Sequence, residues 1–283
     1  MSRPGERPSG RGNRDSVHGR IASPHMAKTS AVIPATIVKD IRSALDELEV
    51  EKPRGGSAAR SGVKVLGLKL ASVRGVARDV ANRHRAVLDL EVAVAVVDAA
   101  VARKVREEIL VALELLDRFR KDLPVSLFSS LERWIAVGDD LEVAEALGSR
   151  VASPLLGLDP AKMATVKKWA RTRSAGRRRL AVLATAALVS EGRRDVPAVL
   201  EVCEILLNEE HPLLVAEVAG LLRSSTKVDA KAVQDFLFRR SIDGNPEILR
   251  AGSENLDAAR RAALIAKLEA QAGIVPVTAA AGR

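Results

Sequence analysis

Pro34-Ala35-Thr36-Ile37-Val38-Lys39-Asp40-Ile41-Arg42-Ser43-Ala44-Leu45-Asp46-Glu47-Leu48 is where a regular apolar period first appears in the chain. Ile37, Ile41, Leu45 and Leu48 recur every three to four residues, which places them along one stripe of an α-helix. Pro34 suits the first turn, where its missing N–H has no partner to lose. The same period returns through nearly all of the remaining sequence. Helices are predicted over about 72–83, 88–101, 103–119, 124–136, 140–156, 161–172, 176–190, 195–208, 212–224, 229–240 and 256–271. Several starts carry capping residues: Asp159-Pro160 before Met163, Asp195 before Pro197, and Pro212 after His211. Residues 52–62, with Pro53, Gly55 and Gly56, read as a loop or hinge. Residues 63–70 have the length of a strand, but no partner strand is visible elsewhere in the sequence.

Helices of this length joined by short loops pack antiparallel to their neighbours. A long series of them, with no sheet to cover, predicts an all-α superhelix of two-helix repeats rather than a closed bundle. One concave surface along the inner helices is the expected consequence. Residues 1–30 are rich in Arg, Gly, Pro and Ser and are expected to be a disordered basic tail. The domain is then expected to cover 31–274, with 275–283 as a flexible C-terminus.

Composition narrows the function. There is no Tyr, and only four Phe and two Trp, so the core rests on Ala, Leu and Val. A single cysteine, Cys203, excludes an intramolecular disulfide and a thiolate metal cluster. The four histidines (His18, His25, His84, His211) are scattered, so no metal and no cofactor are expected. The longest apolar run, 92–102, is broken by Asp98 and too short to cross a bilayer. No segment has the form of a signal peptide, and a cytoplasmic protein that does not engage membranes, working as a monomer, is the expectation. The net charge is +9, of which four units fall within residues 1–30. The excess permits a polyanionic partner without requiring one.

Two segments carry candidate chemistry. Lys167, Lys168, Arg171, Arg173, Arg177, Arg178 and Arg179 place seven cations within thirteen positions, with no acid among them. They fall at the end of one predicted helix and the start of the next, around the turn Ser174-Ala175-Gly176. Such a ridge suits phosphates, whereas a merely solvated face usually mixes signs. The second segment is Leu131-Glu132-Arg133-Trp134 followed by Gly138-Asp139-Asp140-Leu141-Glu142-Val143-Ala144-Glu145. Asp139 can cap a helix, with Glu142 completing a capping box, and Leu141 and Glu145 then share a face. Acids clustered this way are commonly caps and solubilising residues. If Glu145 faces the concavity, it is a carboxylate set against a basic wall.

Residues 60–274 resemble the DNA alkylation repair enzymes, bacterial glycosylases built of HEAT-like helical repeats that excise positively charged alkylated purines. Gly62-Val63-Lys64-Val65-Leu66-Gly67-Leu68-Lys69-Leu70-Ala71-Ser72-Val73-Arg74 is similar to the family's "G-x-x-x-x-G-[VI]-x-[VI]-P-x-[LM]-R". Asp140-Leu141-Glu142-Val143-Ala144-Glu145 is similar to "N-W-D-L-V-D". Lys168-Trp169-Ala170 through Gly176-Arg177-Arg178-Arg179-Leu180-Ala181-Val182 resembles "W-A-x-S-x-x-x-W-x-R-R-x-A-[IV]". Ala219-Gly220-Leu221-Leu222-Arg223 resembles "[IV]-G-W-x-L-R".

The resemblance implies an α-α superhelix of HEAT-like antiparallel helix pairs that binds double-stranded DNA, alkylated DNA in particular. It puts the catalytic carboxylate on Glu145; a register one residue earlier would put it on Ala144. It implies DNA contacts at Lys167, Lys168, Arg171, Arg173, Arg177, Arg178, Arg179 and Arg223, the backbone-contacting arginine falling within Arg178-Arg179. The family's aromatic positions fall on Leu141, Gly176 and Gly220. Three functions are expected from these features: a DNA glycosylase acting on cationic alkylpurines, a non-catalytic helical-repeat protein binding DNA or another polyanion, and a protein-binding scaffold.

Overall fold

The computed structural model describes residues 24–48, 62–136, 139–190 and 194–271. Within them the chain is helical almost throughout. Its helices are α1 (Pro24–Asp46), α2 (Leu70–Arg83), α3 (Leu90–Arg103), α4 (Arg106–Asp117), α5 (Phe128–Ile135), α6 (Leu141–Leu147), α7 (Ser153–Leu158), α8 (Met163–Ala170), α9 (Ala175–Thr185), α10 (Val196–Ile205), α11 (Pro212–Thr226), α12 (Ala230–Arg240), α13 (Pro246–Gly252) and α14 (Ala258–Gln271).

The helices stack as two rows. One row runs α2, α4, α6, α9, α11, α13, each packed on the next. The other runs α8, α10, α12, α14 at its C-terminal end, with α1 against α3 at the other. Side chains join its two ends through α5. The Trp134 indole N–H donates to Asp98 on α3 at 2.7 Å, and that of Trp169 on α8 donates to Glu132 at 3.1 Å. Phe128 stacks on Trp169 at 5.4 Å between ring centroids. Successive helices pair antiparallel across the rows, as α3 with α4, α8 with α9 and α10 with α11. This is the all-α superhelix of antiparallel pairs expected from the period, HEAT-like as the resemblance implies.

Most elements match the sequence expectation, and the departures have local causes. α1 begins at Pro24 instead of Pro34, so Pro24 takes the first-turn place and Pro34 lies inside the helix, forgoing one backbone bond. The part of the expected tail up to residue 23 lies outside the described residues, as does 275–283. The helix expected over 140–156 is interrupted by a π-turn, Gly148–Ala152. A Cβ on Gly148 would lie 2.7 Å from Cβ of Leu183, so this close approach of α9 requires glycine. α13 has no counterpart among the expected helices, because its seven residues show too little of a period to read.

Residues 63–69 are extended but make no sheet. Lys64 bridges to the α3–α4 turn, donating to Lys104 O at 2.8 Å and accepting from Arg106 N at 2.9 Å. Buried Glu107 fixes Leu66 and Gly67, its carboxylate accepting from their backbone N–H groups, each at 2.9 Å. The turn that aims both groups at one carboxylate needs the φ of +81° at Gly67.

Candidate functional site

The first-row helices run parallel, and side chains lock their N-termini together one after another. Arg106, opening α4, reaches Asp140, the N-cap of α6, at 2.6 Å. Burial opposes the charge on Arg106, but the hydrogen bond and the Asp140 charge prevail and raise its pKa further. Asp140 itself caps α6, accepting from Glu142 N and Val143 N at 3.0 Å. Asp139, expected to cap its own helix, caps the next one instead. It accepts from Gly176 N at 2.5 Å, Ala175 N at 3.3 Å and the Ser174 hydroxyl at 2.8 Å at the start of α9. The correction follows from packing, because α6 and α9 begin side by side and Asp140, with the extended backbone of a cap, takes the N-cap of α6.

A Cβ at Gly176 would lie 3.0 Å from Asp139 Oδ1, so the carboxylate occupies the place of a larger side chain. Arg178 continues the chain of locks. Its guanidinium grips Glu209, just ahead of α11, at 2.6 and 3.1 Å and also donates to Thr172 O and Arg173 O.

One helical turn further along, a ladder of charges crosses the same row. Arg74 of α2 donates to Glu114 of α4 at 3.2 Å, and Arg150 meets the same carboxylate at 2.5 Å. Glu145 of α6 then meets Arg179 of α9 at 2.9 Å, and Arg179 meets Glu217 of α11 at 2.8 Å. Arg223 of α11 pairs with Glu254 at 3.3 Å and donates to Ala251 O at 3.1 Å.

Arg179 is the hub of this ladder. Its side chain is only 7% exposed, its Nε also donates to Glu217, and its Nη1 donates to the Leu141 carbonyl. Its Nε, Nη1 and Nη2 are all engaged, which leaves no fork free for a phosphate. Glu145, by contrast, is 55% exposed. It opens on a cavity of about 270 Å³ with an apolar side (Leu68, Leu70, Leu110) and a polar side that includes Ser149 and Arg150. Ala144, the alternative catalytic position, is buried.

The seven-residue ridge divides in three dimensions. Lys168, Arg171 and Arg173 are exposed or half-buried, as is Arg177; among the described residues none of the four has an ion-pair partner. Lys167 pairs with Glu201 at 2.7 Å, and Arg178 and Arg179 are consumed as above. The acids absent from the ridge in sequence are therefore supplied to three of its members by α10, α11 and their neighbours. Sequence reading also missed Glu217, Arg150 and Glu114, which look like ordinary helical surface charges until the neighbouring helix brings a partner. Gly220 stands in open space, with only the Arg223 guanidinium within 4 Å of a built Cβ, at 3.6 Å.

The locks carry a pH signature. Glu209 is buried and Glu114 partly so, which alone would raise their pKa values. The guanidinium bonds from Arg178 to Glu209, and from Arg150 and Arg74 to Glu114, outweigh this and hold both below the ordinary 4.5. A carboxyl whose pKa is depressed by folding stabilises the fold above the unfolded value and loses that contribution as pH falls through the folded value. Urea midpoints should hold steady near neutral pH and drop on acidification below about 4.5. Arg178→Ala should make that drop shallower. An acid profile identical in variant and parent would mean that the Arg178–Glu209 lock does not tune the fold.

No helix among the described residues is long and apolar enough to cross a membrane. No curated protein is a match to the chain. The family model described as DNA alkylation repair enzyme matches residues 43–256, about three quarters of the sequence, and takes in α2 to α13, the locks and the whole ladder. The chain belongs to the DNA alkylation repair enzyme family.

Proposed function

We propose that the protein binds duplex DNA and hydrolyses the glycosidic bond of cationic alkylated purines, with Glu145 as the catalytic carboxylate. One observation carries this reading: an exposed carboxylate, clamped by a buried guanidinium, at the mouth of a cavity. Arg179 lies between Glu145 and Glu217, so the three groups sum to one negative charge. That charge suits a cation and repels phosphate, so the cluster itself is no backbone anchor.

In the reaction, the bond between sugar C1′ and the purine nitrogen breaks, and its electron pair neutralises the charged base. Positive charge then develops on the sugar, where a preorganised carboxylate stabilises it. Water adds to C1′, its proton passes to solvent, and a free base and an abasic site result. The alkylated base is already a good leaving group, so no general acid is required. Lys168, Arg171, Arg173 and Arg177 remain available for phosphates, and Lys167, Arg178 and Arg223 would reach them only by releasing their present partners.

The test is single-turnover excision of 7-methylguanine and 3-methyladenine from duplex DNA, with a binding titration alongside. Glu145→Gln keeps size and removes charge, and should slow excision at least tenfold, about 1.4 kcal/mol of transition-state stabilisation. Equal rates in variant and parent would remove Glu145 from the chemistry. A second reading, a non-catalytic DNA-binding protein, is favoured by Leu141 and Gly220, which put no ring beside the cluster for a cationic base to stack on. Firm DNA binding without excision of either base would decide for it.

A further inference from the structure

Beyond the Glu145 cavity, a second and larger opening of about 480 Å³ lies between α2 and the end of α4. Arg74, Arg78 and Arg118 line it, together with Glu114 and Asp117. Glu114 is answered from elsewhere by Arg150 at 2.5 Å, whereas Asp117 has only Arg120 at 3.6 Å and its Oδ1 accepts no hydrogen bond among the described residues. Arg78 and Arg118 are both exposed, and among the described residues neither has an ion-pair partner. Their sequence positions, forty residues apart, one on α2 and the other just past the end of α4, give no hint of this meeting. Arg74 and Glu114 line both openings, so the groove adjoins the cavity at Glu145.

We infer that this arginine groove is a second phosphate-backbone site, which holds the DNA strand opposite the one held by Lys168, Arg171, Arg173 and Arg177. The placement follows from the parallel first row. Arg106, at the start of α4, touches the N-cap of α6, and the N-terminus of α6 touches that of α9. The ridge is therefore level with the beginning of α4, whereas Arg118 follows its last residue. The 12 residues of α4 set these two cation clusters roughly 18 Å apart along the helix axes. Two helix-to-helix steps of about 8–10 Å add a sideways offset of similar size.

A duplex laid across the row meets that geometry. The offset along the helices exceeds the ~12 Å opening of the major groove, so the clusters reach phosphates on its two sides. The sideways offset corresponds to about five base pairs at roughly 3.4 Å each. Glu145 then faces the duplex between its two backbones. Arginine suits the task because its planar fork matches phosphate oxygens and stays charged at any working pH.

The inference rests on the DNA-binding reading above and is tested on the full chain. Arg78→Ala/Arg118→Ala is compared with the parent for binding to an undamaged duplex at several salt concentrations. Two lost phosphate contacts should lower the slope of log K against log salt by about 1.8, at roughly 0.9 per contact. Thermal melting should be unchanged, because neither side chain is buried. Lys231→Ala/Arg260→Ala removes the same charge from α12 and α14 of the second row and should leave the slope as it was. Combined with Lys168→Ala/Arg171→Ala/Arg173→Ala, the losses in log K should add, since the clusters are far apart.

Equal slopes for the groove variant and a DNA-binding parent would overturn this inference alone. An equal drop in the second-row control would overturn it as well, by reducing the effect to bulk charge. A parent that binds no duplex at low salt would overturn both this site and the proposed function.

Discussion

Arg179→Ala should lower the unfolding free energy by about 3 kcal/mol, because it strands a largely buried carboxylate. Arg179 is 7% exposed and Glu217 only 17%, and both Arg179–Glu217 bonds end on the same oxygen, Glu217 Oε1. Glu217 Oε2 has no protein partner among the described residues even with Arg179 in place. The variant would leave both oxygens without a donor and the Leu141 carbonyl without its guanidinium. Glu145 contributes less to the loss, since at 55% exposed it returns to water, and this sets the expected loss at the low end for a broken buried pair.

Urea unfolding measures the effect as a lower midpoint at unchanged m-value. Arg179→Met/Glu217→Leu should recover much of the loss, because apolar replacement of both partners removes the stranded charge along with the bond. A single variant within about 1 kcal/mol of the parent would show that the ladder is not a structural element. The residue that positions Glu145 therefore also joins α6, α9 and α11. An Arg179 variant that is stable but inactive is not to be expected.

Trp134→Ala should cost about 3–5 kcal/mol and lower the melting temperature by roughly 10 °C. Trp134 is 1% exposed and sits on α5, the short helix that joins the two ends of the second row. Removing its ring opens a cavity at that joint, and the hydrogen bond to Asp98 is lost with it. Trp134→Phe keeps most of the volume and loses the N–H donor, so it should cost only about 1–2 kcal/mol. Similar melting curves for Trp134→Ala and the parent would mean that α5 hangs on the superhelix without bracing it. The chain has only six aromatic residues, Phe and Trp together, so few rings are on hand to fill the space.

What the sequence determined by itself was the class of fold. Apolar positions recurring at three to four residues mark helix faces wherever they occur, and that information is local, so α2 to α12 and α14 were legible in order, with α6 and α7 read as one helix. The match of four short motifs carried the family, because each motif is confined to a short local stretch of chain. The proposal of Glu145 as the catalytic carboxylate rests on the same kind of local match.

Partnership between helices was not legible. The ridge looks unmixed in sequence, yet Glu201, Glu209 and Glu217 come from 31 to 38 residues away to take Lys167, Arg178 and Arg179. Asp139 reads as the cap of its own helix, and only the side-by-side start of α6 and α9 turns it into the cap of the next. The groove of Arg74, Arg78 and Arg118 likewise exists only once α2 and α4 lie together. Charge along a chain is fixed by sequence, but whether a charge faces a partner or solvent depends on which helices the core brings into contact. Apolar burial sets those contacts, and it ties together residues far apart in the chain without regard to the charges they carry alongside.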